Sequence, residues 1–279
     1  MTPPIGYPTN LAFVRARSFV EPFPAPETID LTLVRNDEFL FYALAGSAVL
    51  ACRAQRGLRE SVAAFDELPL VQRWLREHWY PSQCSHAETL ARCLRHAWPQ
   101  HEWEAVFAAS RRPRQLRTHA AAIRDTFDQL LVHSIDAVVL TCLYRAMTQH
   151  SHDEVLRKLL TRLASEELRN VRFFQRYLAA IGCESNASRL RMAWGIARRL
   201  VTVAGCLQRV YLGLYRFRYG RAPVTESDFR RLRQRIRPAM QRHFPHAEGA
   251  ELLVSPLALP ASWHRPIAWS TSQLLRHLV

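Results

Sequence analysis

The sequence is short of glycine and of lysine, and both shortages are informative. Only nine of its 279 residues are glycine, whereas leucine, alanine and arginine are frequent. Because glycine is a poor helix former and those three residues are good ones, the composition favours helix over sheet. Lysine occurs only as Lys158, so arginine supplies nearly all of the positive charge behind the formal net charge of +14.

Several protein classes are disfavoured by patterns that the chain does not contain. The six cysteines form neither a Cys-x-x-Cys pair nor a zinc-type spacing, so reduced thiols in a cytoplasmic protein are the expectation. The first residues do not show the charged-then-apolar pattern of a secretory signal. No window approaches the roughly 20 uninterrupted apolar residues of a spanning helix, so we expect no membrane span.

The positive charge that is present lies mostly in the last third of the chain. Residues 1–183 carry 22 basic and 19 acidic side chains, whereas residues 184–279 carry 16 and 5. A basic surface of this kind predicts acidic partners, which include carrier proteins, nucleic acid and anionic lipid.

Apolar residues recur with helical periodicity over most of the chain, and no stretch alternates like a strand. We expect helices over residues 37–56, 70–98, 115–149, 155–180 and 188–219, with a kink or break at Pro81. Asp153 is placed to cap the start of the fourth of these segments, residues 155–180. Thr225 and Asp228 have capping-box spacing for the last clear helix. The fold class predicted is therefore all-α.

Composition divides the chain into three parts. Residues 1–30 hold six prolines and are expected to form an extended arm. Residues 31–183 are expected to form a helical bundle, and residues 184–279 a basic helical extension. Prolines at 245, 256, 260 and 266 predict an irregular tail after Pro238.

Two segments about eighty residues apart carry polar residues at metal-ligand spacing. Gln83 and His86 lie three apart in one predicted helix, and Glu167 and Asn170 lie three apart in another. This spacing directs two side chains from the same helix face toward a shared point. Carboxylate-bridged di-iron bundles have Glu-x-x-His in both places, so each segment here retains half of the motif.

The residues around these two segments also match patterns found in carboxylate-bridged di-iron proteins. The first segment shares the register of a Trp-x-x-Glu-Glu-x-x-His-Gly-x-x-Leu stretch through Trp79, Ser82, Gln83, His86, Ala87 and Leu90. The second segment matches a pattern of two acidic residues, any residue, an arginine, a ligand position and then an aromatic residue. The matching residues are Glu166, Glu167, Arg169, Asn170 and Phe173. Over residues 37–180 the chain resembles the ferritin-like superfamily, and most closely its acyl-acyl carrier protein desaturases. The resemblance implies a ferritin-like up-down helical bundle with additional C-terminal helices.

The chain departs from that family at most ligand positions. No carboxylate lies between Phe39 and Arg59, where the resemblance places the first glutamate, and the third-helix glutamate falls on Ala137 beside Asp136. Only His86 and Glu167 retain ligating side chains, and two ligands do not supply the carboxylates that bridge two irons. We therefore expect no cofactor, although iron is the metal that the resemblance implies.

Three functions follow from these patterns. The first is a desaturase-like oxidoreductase, or its descendant with a degenerate di-iron site, acting on a carrier-bound acyl chain in lipid or secondary metabolism. The second is a non-catalytic, metal-free partner or scaffold protein, alone or as a homodimer. The third, less favoured because no known motif accompanies the basic region, is a nucleic-acid-binding protein.

Each function uses a defined set of residues. In an active protein, His86 and Glu167 are the reacting pair, and Gln83, Asp136 and Asn170 orient them. A one-sign arginine cluster is predicted to dock acyl carrier protein or another acidic partner. Its members are Arg216, Arg218, Arg230, Arg231, Arg233, Arg235 and Arg237.

Overall fold

The computed structural model describes residues 23–54, 58–111, 126–182, 186–220 and 225–278. Among these residues every regular element is a helix, which confirms the all-α class. The first helices are α1 (Leu31–Val34), α2 (Glu38–Ala54), α3 (Leu58–Ala63), α4 (Pro69–Trp74), α5 (Tyr80–Ala97) and α6 (Trp103–Arg111). Those after them are α7 (Thr126–His150), α8 (Glu154–Gly182), α9 (Asn186–Tyr219), α10 (Glu226–His243), α11 (His246–Val254) and α12 (Ala261–Leu278).

Four long helices form the body of the molecule. α7 and α8 pack along their lengths as an antiparallel hairpin, and α2 packs on α5 in the same way. The turn between α7 and α8 is fixed by Asp153, whose carboxylate accepts hydrogen bonds from the backbone N–H groups of Leu156 and Asp30. The predicted cap is therefore confirmed, and it also ties the start of the described chain to the bundle.

Helix α7 is the most apolar of the four. Among the described helices it alone is long and apolar enough to cross a membrane, and 72% of that stretch is buried within the fold. Burial on this scale is typical of the central helix of a bundle, which is hydrophobic on every side. Its predicted beginning at residue 115 lies outside the described residues.

Two glycines allow α9 to approach the bundle closely. A methyl group placed on Gly46 of α2 would lie 2.7 Å from the Tyr211 ring, and one on Gly195 would meet the Leu131 side chain. Both contacts require a residue without a Cβ. The extension that begins at residue 184 is thus packed against the body through α9.

The region after Pro238 corrects the sequence prediction of an irregular tail. α10 continues through Pro238 to His243, and α11 and α12 follow, with Pro266 inside α12. Pro245, Pro256 and Pro260 lie at helix boundaries, where a missing N–H costs little. The capping box of Thr225 and Asp228 at the start of α10 is confirmed.

Candidate functional site

A π-helical turn directly precedes the first half-motif. Residues Leu75–Trp79 form this turn, and α5 begins at the next residue with Pro81 in its first turn. Pro81 has no N–H to donate to the carbonyl four residues earlier, at Glu77, and a wider turn accommodates that carbonyl. The break expected at Pro81 is therefore a local change of winding, after which α5 runs uninterrupted.

The four half-motif residues meet inside the molecule. From α5, Gln83 donates from Nε2 to Glu167 Oε1 at 2.5 Å, and from α8, Asn170 donates from Nδ2 to Glu167 Oε2 at 3.2 Å. His86 Nδ1 lies 3.2 Å from Glu167 Oε1. All four side chains are buried. The predicted convergence of these residues is present, with Glu167 at its centre.

His86 lies between two carboxylates. Its Nε2 is 2.8 Å from Glu166 Oε2, while the Nδ1 contact to Glu167 is short but off the line of a hydrogen bond. Burial alone would lower the pKa of His86, but the contacts with Glu166 and Glu167 outweigh it and raise that pKa to about 9. At neutral pH His86 is therefore an imidazolium that lies between these two side chains.

Glu166 is the site residue that the sequence analysis did not assign. Burial raises its pKa, but the contact with His86 and the pairing with Arg162 outweigh this effect and hold the pKa below its ordinary value. Arg169 also approaches it, at 3.9 Å. The signal was present in the sequence, because arginines four residues before and three after Glu166 share its helix face. The side chain is 13% exposed, so this end of the network reaches solvent.

Asp136 does not join the network, which corrects its predicted role in orienting His86 and Glu167. It forms an ion pair with Arg199 of α9, with Arg199 Nε 3.0 Å from Asp136 Oδ1. One residue along a helix changes direction by about 100°, so Asp136 points away from the position that Ala137 occupies. Both residues nevertheless line the same cavity.

The cavity has a volume of about 360 Å³ and is enclosed by α2, α5, α7, α8 and α9. Gln83 and Glu167 contribute to its buried wall, together with His133, whose ring stacks on Phe174. Burial lowers the pKa of His133 to about 4, so this imidazole is neutral. The partly exposed side is more polar and includes Gln129, Asp136, Arg199, Thr202 and Cys206.

A second cavity lies on the other side of α9. Its volume is about 440 Å³, and its walls come from α7, α9, α10 and α12. Nearly all of its lining is apolar, with Arg233 the one charged side chain among the residues that form it. Val139, Val203 and Leu207 line both cavities, so the two spaces are neighbours with a thin apolar partition.

The donor set does not fit a di-iron centre. Gln83 and Asn170 direct amide N–H groups at Glu167, and both ring nitrogens of His86 face carboxylates. Groups that donate hydrogen bonds cannot ligate a cation in the same orientation. Among the described residues there is no cluster of three or more His, Cys, Asp or Glu side chains suited to hold a metal.

The predicted arginine cluster does not form one uniform face. Arg216, Arg230 and Arg231 are exposed, whereas Arg235 pairs with Glu38 at 2.7 Å. The Arg218 guanidinium stacks 4.3 Å above the Phe41 ring. Arg233 lines the second cavity, and Arg237 is half-buried. Several of these arginines therefore bind the extension to the bundle, which leaves fewer for a partner.

Comparison with known proteins found no relative of this chain. No protein-family model, curated protein or solved structure matches the chain.

Proposed function

We propose that the protein is a metal-free acid–base enzyme of ferritin-like, desaturase-type descent that acts on an acyl chain attached to an acidic carrier protein. The observation that carries the proposal is the position of Glu167, which belongs both to the buried network and to the cavity wall. A carboxylate at the buried end of a ligand-sized cavity is placed to exchange a proton with a group bound there.

The side chains at the former ligand positions are the reason that we propose proton transfer and not redox chemistry. The resemblance implies an oxidoreductase, but the amides of Gln83 and Asn170 occupy positions where di-iron proteins need ligands. The same amides orient Glu167, because each donates a hydrogen bond to one of its two oxygens. The fold inherited from such an ancestor would then serve a different reaction on the same class of substrate.

A chain of ionisable groups connects the cavity with solvent. It runs from Glu167 through the two nitrogens of His86 to Glu166, which is partly exposed. As an imidazolium, His86 carries a proton on each nitrogen, so it can give the Nδ1 proton to Glu167 or the Nε2 proton to Glu166 and take the same proton back. This arrangement keeps a proton beside Glu167 that does not have to enter through the cavity.

The two cavities support a long apolar substrate. Each volume lies within the roughly 300–1,000 Å³ range of ligand pockets, and their shared partition is formed by Val139, Val203 and Leu207. A chain that crosses this partition would place its reacting part near Glu167 and its distal part in the more apolar space.

Solvent isotope exchange tests the proposal. In heavy water, the purified protein should incorporate deuterium into an acyl chain on its carrier, as measured by mass spectrometry. Glu167→Gln should reduce the rate by about 10²-fold or more, because the isosteric amide cannot accept the proton. Glu88→Gln removes a carboxylate from the exposed side of α5, the helix that carries Gln83 and His86, and should leave the rate unchanged. Exchange that survives Glu167→Gln would disprove the assignment.

A second candidate, a non-catalytic scaffold or partner, is favoured by one observation. Both oxygens of Glu167 accept a hydrogen bond from within the protein, so this carboxyl group is satisfied without a ligand. In that case the wild-type protein would bind the acylated carrier, or another partner, with no isotope exchange at all. The two functions are therefore separated by the same measurement.

A further inference from the structure

The exposed large apolar side chains are concentrated on two helices. Among the described residues eight such side chains are exposed, and seven of them belong to α9 or α12. On α9 these are Leu190, Trp194, Val201 and Tyr219, and on α12 they are Trp263, Trp269 and Leu274. The three tryptophans are each about two-thirds exposed, at 71%, 64% and 66% respectively. Tryptophan so exposed on a monomer marks an interaction surface.

On α9 the apolar residues form a stripe with arginines beside it. Leu190, Trp194 and Val201 are spaced by four and seven residues, which places them on one side of the helix. Arg191, Arg198 and Arg209 are spaced by seven and eleven and form an adjacent row, in which Arg191 also reaches Asp128 at 3.4 Å. Apolar and cationic side chains therefore point in nearly the same direction.

Helix α12 presents the same kinds of side chain in two directions. Trp263 and Leu274 are eleven residues apart and point one way, whereas Trp269 lies in a row with Arg265 and Arg276 about 120° further round the helix. The two helices border the same cavity, because Val201 and Leu275 both line it. The two helices are therefore neighbours at this cavity.

The charge of this surface, which we call the α9/α12 face, is of one sign. The two helices contain nine arginines and no aspartate or glutamate. Of the nearby acidic residues on α11, Glu248 pairs with Arg145 and Glu251 lies 3.5 Å from His264. A second copy docked on this face would bring arginines against arginines, which disfavours self-association there.

We propose that the α9/α12 face binds the surface of an anionic phospholipid bilayer. Helices with apolar and tryptophan residues on one side and arginines beside them lie in the bilayer interface, with the aromatic rings at headgroup depth and the guanidinium groups on phosphates. Single-stranded nucleic acid also stacks on exposed tryptophans beside arginines. Leu190, Val201 and Leu274, however, are exposed on the same two helices, have no ring for a base to stack on, and suit acyl chains instead.

Vesicle flotation tests the inference. The full-length protein should bind vesicles of phosphatidylcholine mixed with phosphatidylglycerol, and much less to phosphatidylcholine alone or at high salt. Replacing Trp194, Trp263 and Trp269 together with serine should weaken binding by about tenfold or more, because these exposed side chains supply the apolar part. Since all three are exposed, the variant should retain the wild-type circular dichroism spectrum and melting temperature.

A matched charge reversal provides the control. Arg198→Glu with Arg209→Glu should weaken vesicle binding by about tenfold or more, whereas Arg157→Glu with Arg172→Glu, two exposed positions on α8, should not. The inference does not depend on the proposed chemistry, so Glu167→Gln should bind vesicles like the wild type. Binding that ignores anionic lipid, or a tryptophan variant that binds normally, would overturn it. The inference would also be overturned if the wild type formed a dimer that binds no vesicles and if replacing the three tryptophans abolished that dimer.

Discussion

At the scale of single residues, the central feature is a buried cation between two carboxylates. A charged imidazole is stable in the interior only when its partners compensate for lost hydration, and here Glu166 and Glu167 do so. Removing one partner leaves the other charges in place without compensation. The network therefore links stability to pH as well as holding α5 against α8.

The first prediction concerns this pH dependence. The folded pKa of His86, about 9, lies above its ordinary value of 6.5, so the folded state holds a proton that the unfolded state releases. This stabilisation is complete below pH 6.5 and is lost as the pH rises toward 9. Over that range the free energy of unfolding should fall by about 3 kcal/mol. Urea unfolding at a series of pH values measures it.

A variant separates His86 from other groups that titrate at high pH. Glu166→Gln keeps the shape of the side chain and removes one of the two anions, so the His86 pKa should fall and the loss of stability should begin at lower pH. Glu88→Gln serves as the control. Identical pH profiles for Glu166→Gln and the wild type would show that Glu166 does not hold the imidazolium.

The sequence predicted most of this site, for a simple physical reason. Spacing of three residues puts two side chains on one helix face, so Gln83, His86, Glu167 and Asn170 could be brought together from the pattern alone. The spacing did not assign the roles of Glu166 and Asp136, although Arg162 and Arg169 on the same helix face were a signal for Glu166. Their roles depend on which neighbour is within reach, namely His86 for one and Arg199 for the other.

At the scale of elements, the position of α9 depends on a glycine in α2. Gly46→Ala should lower the free energy of unfolding by roughly 1–3 kcal/mol, because the added methyl group would lie 2.7 Å from the buried Tyr211 ring. Gly213→Ala is the matched control, since nothing lies within 4 Å of its added Cβ. In a helix this control should gain up to about 1 kcal/mol. Equal effects of both substitutions would contradict the close approach.

Helices were predicted from sequence better than the connections between them. Period and capping located α2, α5, α8, α9 and the start of α10, because those signals are local. The proline-rich end was predicted wrongly, since proline is compatible with a first turn and, where packing compensates, with a helix interior. The π-helical turn before α5 also has no signal beyond Pro81 itself.

At the scale of the whole molecule, only some of the excess arginines in residues 184–279 are available to partners. Arg235 and Arg218 contact α2, so they stabilise the attachment of the extension. Arg230 and Arg231 on α10 are exposed and stay the best candidates for docking an acidic carrier. This division between anchoring and exposed arginines follows from tertiary contacts that composition does not reveal.

Carrier docking gives the prediction at this scale. Arg230→Glu with Arg231→Glu should weaken binding of acylated carrier by about tenfold, and wild-type affinity should fall as salt increases, since exposed charges are screened. Isothermal titration calorimetry measures both effects. Arg157→Glu with Arg172→Glu changes the net charge equally and should bind the carrier normally. Loss of binding in this control would assign the effect to overall charge.

The eighty-residue separation between His86 and its carboxylates has a consequence for biosynthesis. α5 emerges from the ribosome with Gln83 and His86 still in water, and α8 follows only after α7 has been translated. At translation rates of about 5–20 residues per second, several seconds pass before the two carboxylates arrive. During that interval the nascent chain carries a helix whose inner face is incomplete, so chaperone contact and premature cleavage should be concentrated on chains that end before residue 170.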